Sequence, residues 1–231
     1  MNISTKEIDR KVDETEGKAR ILTGWQLKIV AVIAFTWSAF QLWYASPLPF
    51  MVGFGVLIDV PARAIHLGFA LLLAFLSFPF LKKDRHKKFG IISLCLAILA
   101  FYSTFYIFNN YEALVDRNGI LLTHEINMFG KQFTFPSELF LGVIGITLLL
   151  ESTRRAIGTP LVIVALIFIL YSIFGQSMPE IISHQGLSLK RLVGYHWFGG
   201  EAIFGIPISV SVSFVFLFVL FGSMLDYAGG G

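Results

Sequence analysis

The chain has 231 residues, of which 55% are hydrophobic and only 14% charged, with a mean hydropathy of +0.73 and a formal net charge of +3. Soluble domains carry about 25% charged residues. That deficit excludes a water-soluble enzyme, an intrinsically disordered chain and a small disulfide scaffold. The single cysteine, Cys95, makes neither an internal disulfide nor a metal cluster and reads as a small packing residue in an apolar run.

In chain order, residues 3–22 read first as a surface helix. Ser4 and Glu7 form a capping box, and Glu7–Lys11, Glu14–Lys18 and Glu16–Arg20 are i,i+4 pairs in the favoured order. Ile8, Val12 and Ala19 make a thin apolar stripe, suited to the membrane surface or, as the second choice, to another subunit. This polar start also lacks the pattern of a cleavable signal peptide. Six apolar runs follow: 27–44, 64–81, 89–108, 136–150, 160–175 and 203–225. Together they hold two formal charges, Lys28 and Glu138. A helix needs about 20 apolar residues to cross roughly 30 Å of hydrocarbon. The fourth run reaches that length by continuing through Glu151 to Ala156. Pro136 and Pro160 suit first helical turns, and Glu138 suits the positive end of a helix dipole. The expected fold is therefore all-α: a polytopic membrane protein with six transmembrane helices, the N-terminal surface helix and an external interfacial helix.

Basic residues orient these spans. With the N-terminus in the cytoplasm, thirteen lysines and arginines fall on inner segments, among them Lys82, Lys83, Arg85, Lys87, Lys88, Arg154 and Arg155, and five fall outside. Both termini are then cytoplasmic in a multi-pass protein of the inner (plasma) membrane. The basic stretch 82–88 reads as an orientation signal and not as a nucleic-acid site. Of the outer loops, 45–63 is rich in proline and glycine, and 109–135 is long, with a turn at Arg117-Asn118-Gly119. Loop 176–202 contains the amphipathic stretch 187–197, which Ser188 can cap; Ile182, Leu189, Leu192 and Val193 give it an apolar face. It is expected as a short helix along the outer interface, since eleven residues at about 1.5 Å each cannot span.

Little in the chain looks catalytic. Of five histidines only His66 lies in an apolar run, at its outer end and without a partner at matching depth, so haem ligation is not expected. No metal, nucleophile or phosphate-loop motif appears, no cofactor is expected, and the chain does not read as an enzyme. Two constellations remain. Glu151 reaches Arg154 and Arg155 at i+3 and i+4, either as a self-neutralised helix end or as a fixed contact between two membrane modules. Ser209, Ser211 and Ser213 follow Pro207 in the sixth run; they allow close helix packing or line a polar path that would make them substrate-binding candidates.

Several short motifs recur in a specific order: Glu151-Ser-Thr-Arg-Arg-Ala-Ile-Gly158, then Pro160, then Tyr171-Ser-Ile-Phe-Gly175, then His184-Gln-Gly186, then Glu201-Ala-Ile-Phe-Gly205-Ile-Pro207, then Val215-Phe-Leu-Phe-Val-Leu-Phe-Gly222. Residues 111–231 resemble the N-terminal part of the fused membrane component of TRAP transporters, in the TAXI branch. Thr123-His124-Glu125 departs from the family pattern, and residues 1–110 match in hydropathy and span order. The resemblance implies a secondary transporter, a symporter that imports organic acids, usually with sodium, and works with an extracytoplasmic substrate-binding protein. It implies a cytoplasmic segment over 1–24, a four-helix small module over 25–157 and the first two helices of a large module over 158–231, whose remainder would be a partner of this fragment. The family's sodium and substrate loops fall outside the chain, so none of its binding residues transfers and a scaffold role is expected. The alternative is a free-standing small membrane subunit or assembly factor without a transport core. Substrate, coupling ion and oligomeric state are not legible in the sequence.

Overall fold

The computed structural model describes residues 19–81, 88–117, 120–128 and 131–230, with side chains for all of these except 124–128 and 131–133. The expected helix over 3–22 lies mostly outside the described residues, and 19–23 are not helical. The chain is mostly helical. Its elements are α1 (Trp25–Ala45), α2 (Leu48–Val52), α3 (Asp59–Ser77), α4 (Ile91–Asp116), a hairpin of β1 (His124–Met128) and β2 (Lys131–Phe135), α5 (Ser137–Ala156), α6 (Thr159–Ile173), α7 (Leu189–Val193) and α8 (Ile206–Tyr227). Four of these, α1, α3, α4 and α8, are long and apolar enough to cross a membrane, consistent with a multi-pass membrane protein.

Local chemistry sets the boundaries. Pro160 stands in the first turn of α6 and Pro207 in that of α8, where a missing N–H costs nothing. Helix α5 begins immediately after Pro136. Two boundaries differ from the apolar runs. Helix α3 starts at Asp59, five residues before its run, because Pro61 fits a first turn and Asp59 pairs with Arg63 at 3.3 Å. Helix α4 continues past its run to Asp116, through a non-helical Asn110 whose amide Nδ2 donates to Tyr106 O at 2.9 Å. The hairpin is an addition to a mostly helical fold that the sequence reading did not foresee. Its strands pair antiparallel from His124↔Phe135 to Met128↔Lys131. Alternation over only five residues per strand is too short to stand out inside a long loop.

Successive long helices run antiparallel, leaving one end with the hairpin and residues 46–58 and the other with residues 78–81, 88–90 and the end of α5, a basic end that holds Arg20, Lys88, Arg154 and Arg155. Helix α3 is central: 56% of its apolar window is buried, against 6% for α1 and for α8. It packs closest on α4, where Gly68 lies under Thr104 and Phe101 and the facing residues are Ala97, Ala100, Ser103 and Ile107. Small residues let two backbones approach where no hydrophobic drive separates helix from lipid. Ser103 and Thr104 return their hydroxyl protons to their own helix, at 2.8 and 2.9 Å, and so cost nothing by being buried. Cys95, by contrast, faces outward from α4.

The stretch expected as an interfacial helix is α7 followed by a π-helical turn, Gly194–Phe198. Ser188 caps it, accepting from the Arg191 N–H at 3.4 Å. Its apolar face is Leu192, Val193, Trp197 and Phe198, all buried, while Ile182 and Leu189 stay half exposed. This arm lies in a groove of α5 made by Gly142 and Gly145. A Cβ on Gly145 would fall 2.2 Å from the Trp197 indole, and one on Gly142 2.3 Å from Val193. We therefore expect Gly145→Val to lift the arm and cost about 1–3 kcal/mol by overpacking. Thermal unfolding in detergent measures it, with Gly222→Ala as control, since a Cβ there meets nothing within 4 Å. Equal melting of the two variants would show that the groove is not a packing site.

Candidate functional site

Three polar constellations lie where the elements cross. The first joins α1, α3 and α8. The Trp37 indole N–H donates to His66 Nδ1 at 3.3 Å, and His66 Nε2 meets Ser211 Oγ at 3.1 Å. An imidazole that accepts at Nδ1 holds its proton on Nε2, so His66 donates to the serine. One residue on, the Gln41 side-chain amide, fully buried, donates to Val212 O at 2.9 Å. That carbonyl is reachable because α8 widens into a π-helical turn at Ser211–Val215. Such turns break the regular ladder and recur at functional sites. His66, read from sequence only as lacking a second axial ligand, thus has hydrogen-bond partners on two other helices. Because α3 starts at Asp59, His66 sits about 10 Å along the helix, level with Trp37 and Ser211.

The three serines separate. Ser211 faces His66. Ser213 donates to Ser209 O at 2.7 Å within its own helix. Ser211 and the buried Val212 carry the bonds to α3 and α1, while Ser209 and Ser213 are half-buried. A further tie to α3 comes from Arg63, whose Nη1 donates to Phe204 O at 2.9 Å just before α8.

The second constellation, at the hairpin end, was not read as a unit from sequence. Glu138 is 1% exposed and its carboxylate accepts four bonds. Tyr106 OH donates at 2.7 Å, Arg117 donates twice at 2.8 and 3.0 Å, and the Leu122 backbone N–H donates at 2.6 Å. The bidentate carboxylate holds the Arg117 guanidinium above its usual pKa. Fork-to-fork geometry and a backbone donor make this a strong latch, binding the loop after α4 to the first turn of α5. Arg117 had read as part of a turn; its only sequence signal is a lone arginine beside a run that holds a lone glutamate.

The third is the end of α5. Arg154 donates to Glu151 at 2.7 and 2.9 Å, and Arg155 Nε donates to Glu151 at 2.8 Å. The guanidinium of Arg154 stacks on Phe80 at 4.7 Å, and that of Arg155 on Phe75 at 4.8 Å. Beyond their own helix, both arginines pack on Phe75 and Phe80, at and just after the end of α3.

The motifs of the loop after α6 close on one another. The Tyr171 hydroxyl donates to Ile182 O at 2.8 Å. The Gly186 N–H donates to His184 Nδ1 at 3.1 Å, and His184 Nε2 bonds Tyr171 O at 3.0 Å. Gly175 lies flat under the His184 ring, where a Cβ would come within 2.3 Å. Gly186, with φ +69°, turns the chain toward the arm in a conformation other residues rarely adopt. No protein-family model, curated protein or solved structure matches the chain.

The Glu138 latch is testable by a double-mutant cycle in detergent. Glu138→Gln is expected to cost about 2 kcal/mol, the scale of a charge-assisted bond with one partner removed. Arg117→Gln should cost clearly less in the Glu138→Gln background than alone. Additive losses would show that the two side chains do not act as a pair.

Proposed function

We propose that residues 1–231 form the scaffold portion of the membrane component of a binding-protein-dependent secondary transporter of the TRAP type, TAXI branch, that imports organic acids by sodium symport. On this reading residues 1–24 are a cytoplasmic segment, 25–157 a four-helix small module and 158–231 the first two helices of a large module. Six helices, α1, α3, α4, α5, α6 and α8, cross the inner (plasma) membrane with both termini in the cytoplasm, and α7 lies along the outer face. The hairpin end then faces the extracytoplasmic binding protein, and the chain has no catalytic role.

The observation that carries the reading is that the motifs behind the resemblance are built units. Tyr171, Gly175, His184 and Gly186 form one clasp. The segment from Glu201 to Gly205 brings Phe204, fully buried, against Trp197 at 5.8 Å and its carbonyl to Arg63. Residues that share a motif because they bond to each other support kinship with a fold made the same way. Burial supports the division into modules. Ten residues of α3 are buried, whereas α6 has none and neither does Phe216–Tyr227. Those apolar faces are free for lipid and for further permease helices.

The scaffold role rests on where polar groups are. The His66 and Gln41 contacts tie helices together, His66 through Trp37 and Ser211 and Gln41 through the Val212 carbonyl, and the interior charge Glu138 is consumed by its four donors. A transport site instead needs broken helices that expose backbone groups to a ligand.

Two experiments test this. In proteoliposomes with a sodium gradient and the cognate binding protein, the complete permease should accumulate organic acid and residues 1–231 alone should not. Sodium-dependent uptake by 1–231 alone would overturn the scaffold role, with Ser209, Ser211 and Ser213 the first residues to replace. Reporter fusions after Lys88 and Arg155 should read as cytoplasmic, and those after Gly119 and Lys190 as external; the reverse pattern would overturn the topology.

A further inference from the structure

At the basic end, a cavity of about 870 Å³ opens between the start of α4, the end of α5 and the segment after α3. Its charged wall holds Arg20, Lys88 and Arg155, with one carboxylate, Glu151. Arg155 is only 5% exposed. Its Nε is bound to Glu151, but its Nη1 has no hydrogen-bond partner among the described residues. A buried guanidinium N–H without an acceptor is costly, and Arg155 lines the cavity, which points to a missing anion. Glu151 does not fill that need: its two oxygens already accept from Arg154 twice and from Arg155 Nε.

A second, independent feature faces the same space. Ile91, Ile92 and Ser93 line the cavity and are the first three residues of α4, a 26-residue helix. The first N–H groups of a helix have no partner within it and carry the positive end of its dipole. Gly90, the cap residue, supplies no side chain to satisfy them, and a Cβ there would meet open space. An arginine donor and a helix N-terminus converging on one cavity make a site for a phosphate.

The rest of the cavity chooses among phosphates. Leu96, Thr147 and Leu148 continue its wall along α4 and α5, away from the charges. Ile91 and Ile92 are 80% and 77% exposed at its mouth, on a helix apolar enough to meet lipid. A free anion has no use for that slot, whereas an acyl chain does. We propose that this cavity binds an anionic phospholipid, its phosphate on Arg155 and the α4 N-terminus and its acyl chain along Leu96 and Leu148. The bound lipid joins α4 to α5 at the end opposite the Glu138 latch.

The test uses the full chain, delipidated in detergent and read by native mass spectrometry. Added phosphatidylglycerol should be retained, phosphatidylcholine much less, and millimolar inorganic phosphate should not displace the lipid. Arg155→Gln should weaken phosphatidylglycerol retention about tenfold, the scale of one charge-assisted hydrogen bond. Thr147→Trp keeps every cation and fills the slot from an exposed position that folding tolerates, so it should also expel the lipid even if Arg155→Gln fails to fold. Equal retention of the two lipids, or unchanged retention in Thr147→Trp, overturns the proposal. Displacement by inorganic phosphate overturns the lipid as occupant and leaves a free-anion site.

Discussion

One stripe of α5 holds the structure together. Its buried residues are Glu138, Gly142, Gly145, Leu148, Ser152 and Arg155, spaced by threes and fours along a single helix face. The stripe is polar at both ends and nearly bare in the middle. At the hairpin end Glu138 gathers Tyr106, Arg117 and the Leu122 backbone. In the middle two glycines leave a trough into which Val193 and Trp197 descend. At the basic end Arg155 lies over Phe75. Three separate parts of the chain are therefore positioned by one helix, and moving that helix would disturb all three.

The second tie follows from the solvent. In an apolar surround a polar side chain has no water to fall back on and must find its partner in the protein. His66 and Gln41 do this by reaching across to α8, and Arg63 by reaching the carbonyl that precedes it. Helix α8 is otherwise scarcely buried. It is thus held by a few directed bonds near its start and by Phe216 against Trp37 and His66, while Phe216–Tyr227 has no buried residue. Bonds of this kind are worth about 1 kcal/mol each in membranes, so they fix register and orientation more than they add stability.

Glycine acts in two ways here. Gly68, Gly142, Gly145 and Gly175 serve by lacking a Cβ, letting Thr104, Val193, Trp197 and His184 come close. Gly186 serves by its positive φ, which turns the chain out of the His184 clasp and into the arm. In both cases the constraint is a close approach set by another segment far along the chain.

Hydropathy and proline were enough to read a membrane protein of long apolar helices, the first turn at Pro160 and the Ser188 cap, whereas the helix start at Pro207 was not read. Each is a local property: a helix that buries its backbone bonds within itself needs only its own residues to form. The sequence also marked Glu151, Arg154 and Arg155 as a cluster, because i+3 and i+4 neighbours meet on any helix. Pairings between distant segments were not legible. His66 seemed partnerless because its mates, Trp37 and Ser211, lie 29 and 145 residues away. Arg117 seemed part of a turn because Glu138 is brought to it only by the fold. The start of α3 at Asp59 and the hairpin were missed because weak local signals there are decided by pairing. Tertiary structure alone determined which polar groups meet, since in an apolar surround a donor is defined by the acceptor that packing delivers to it.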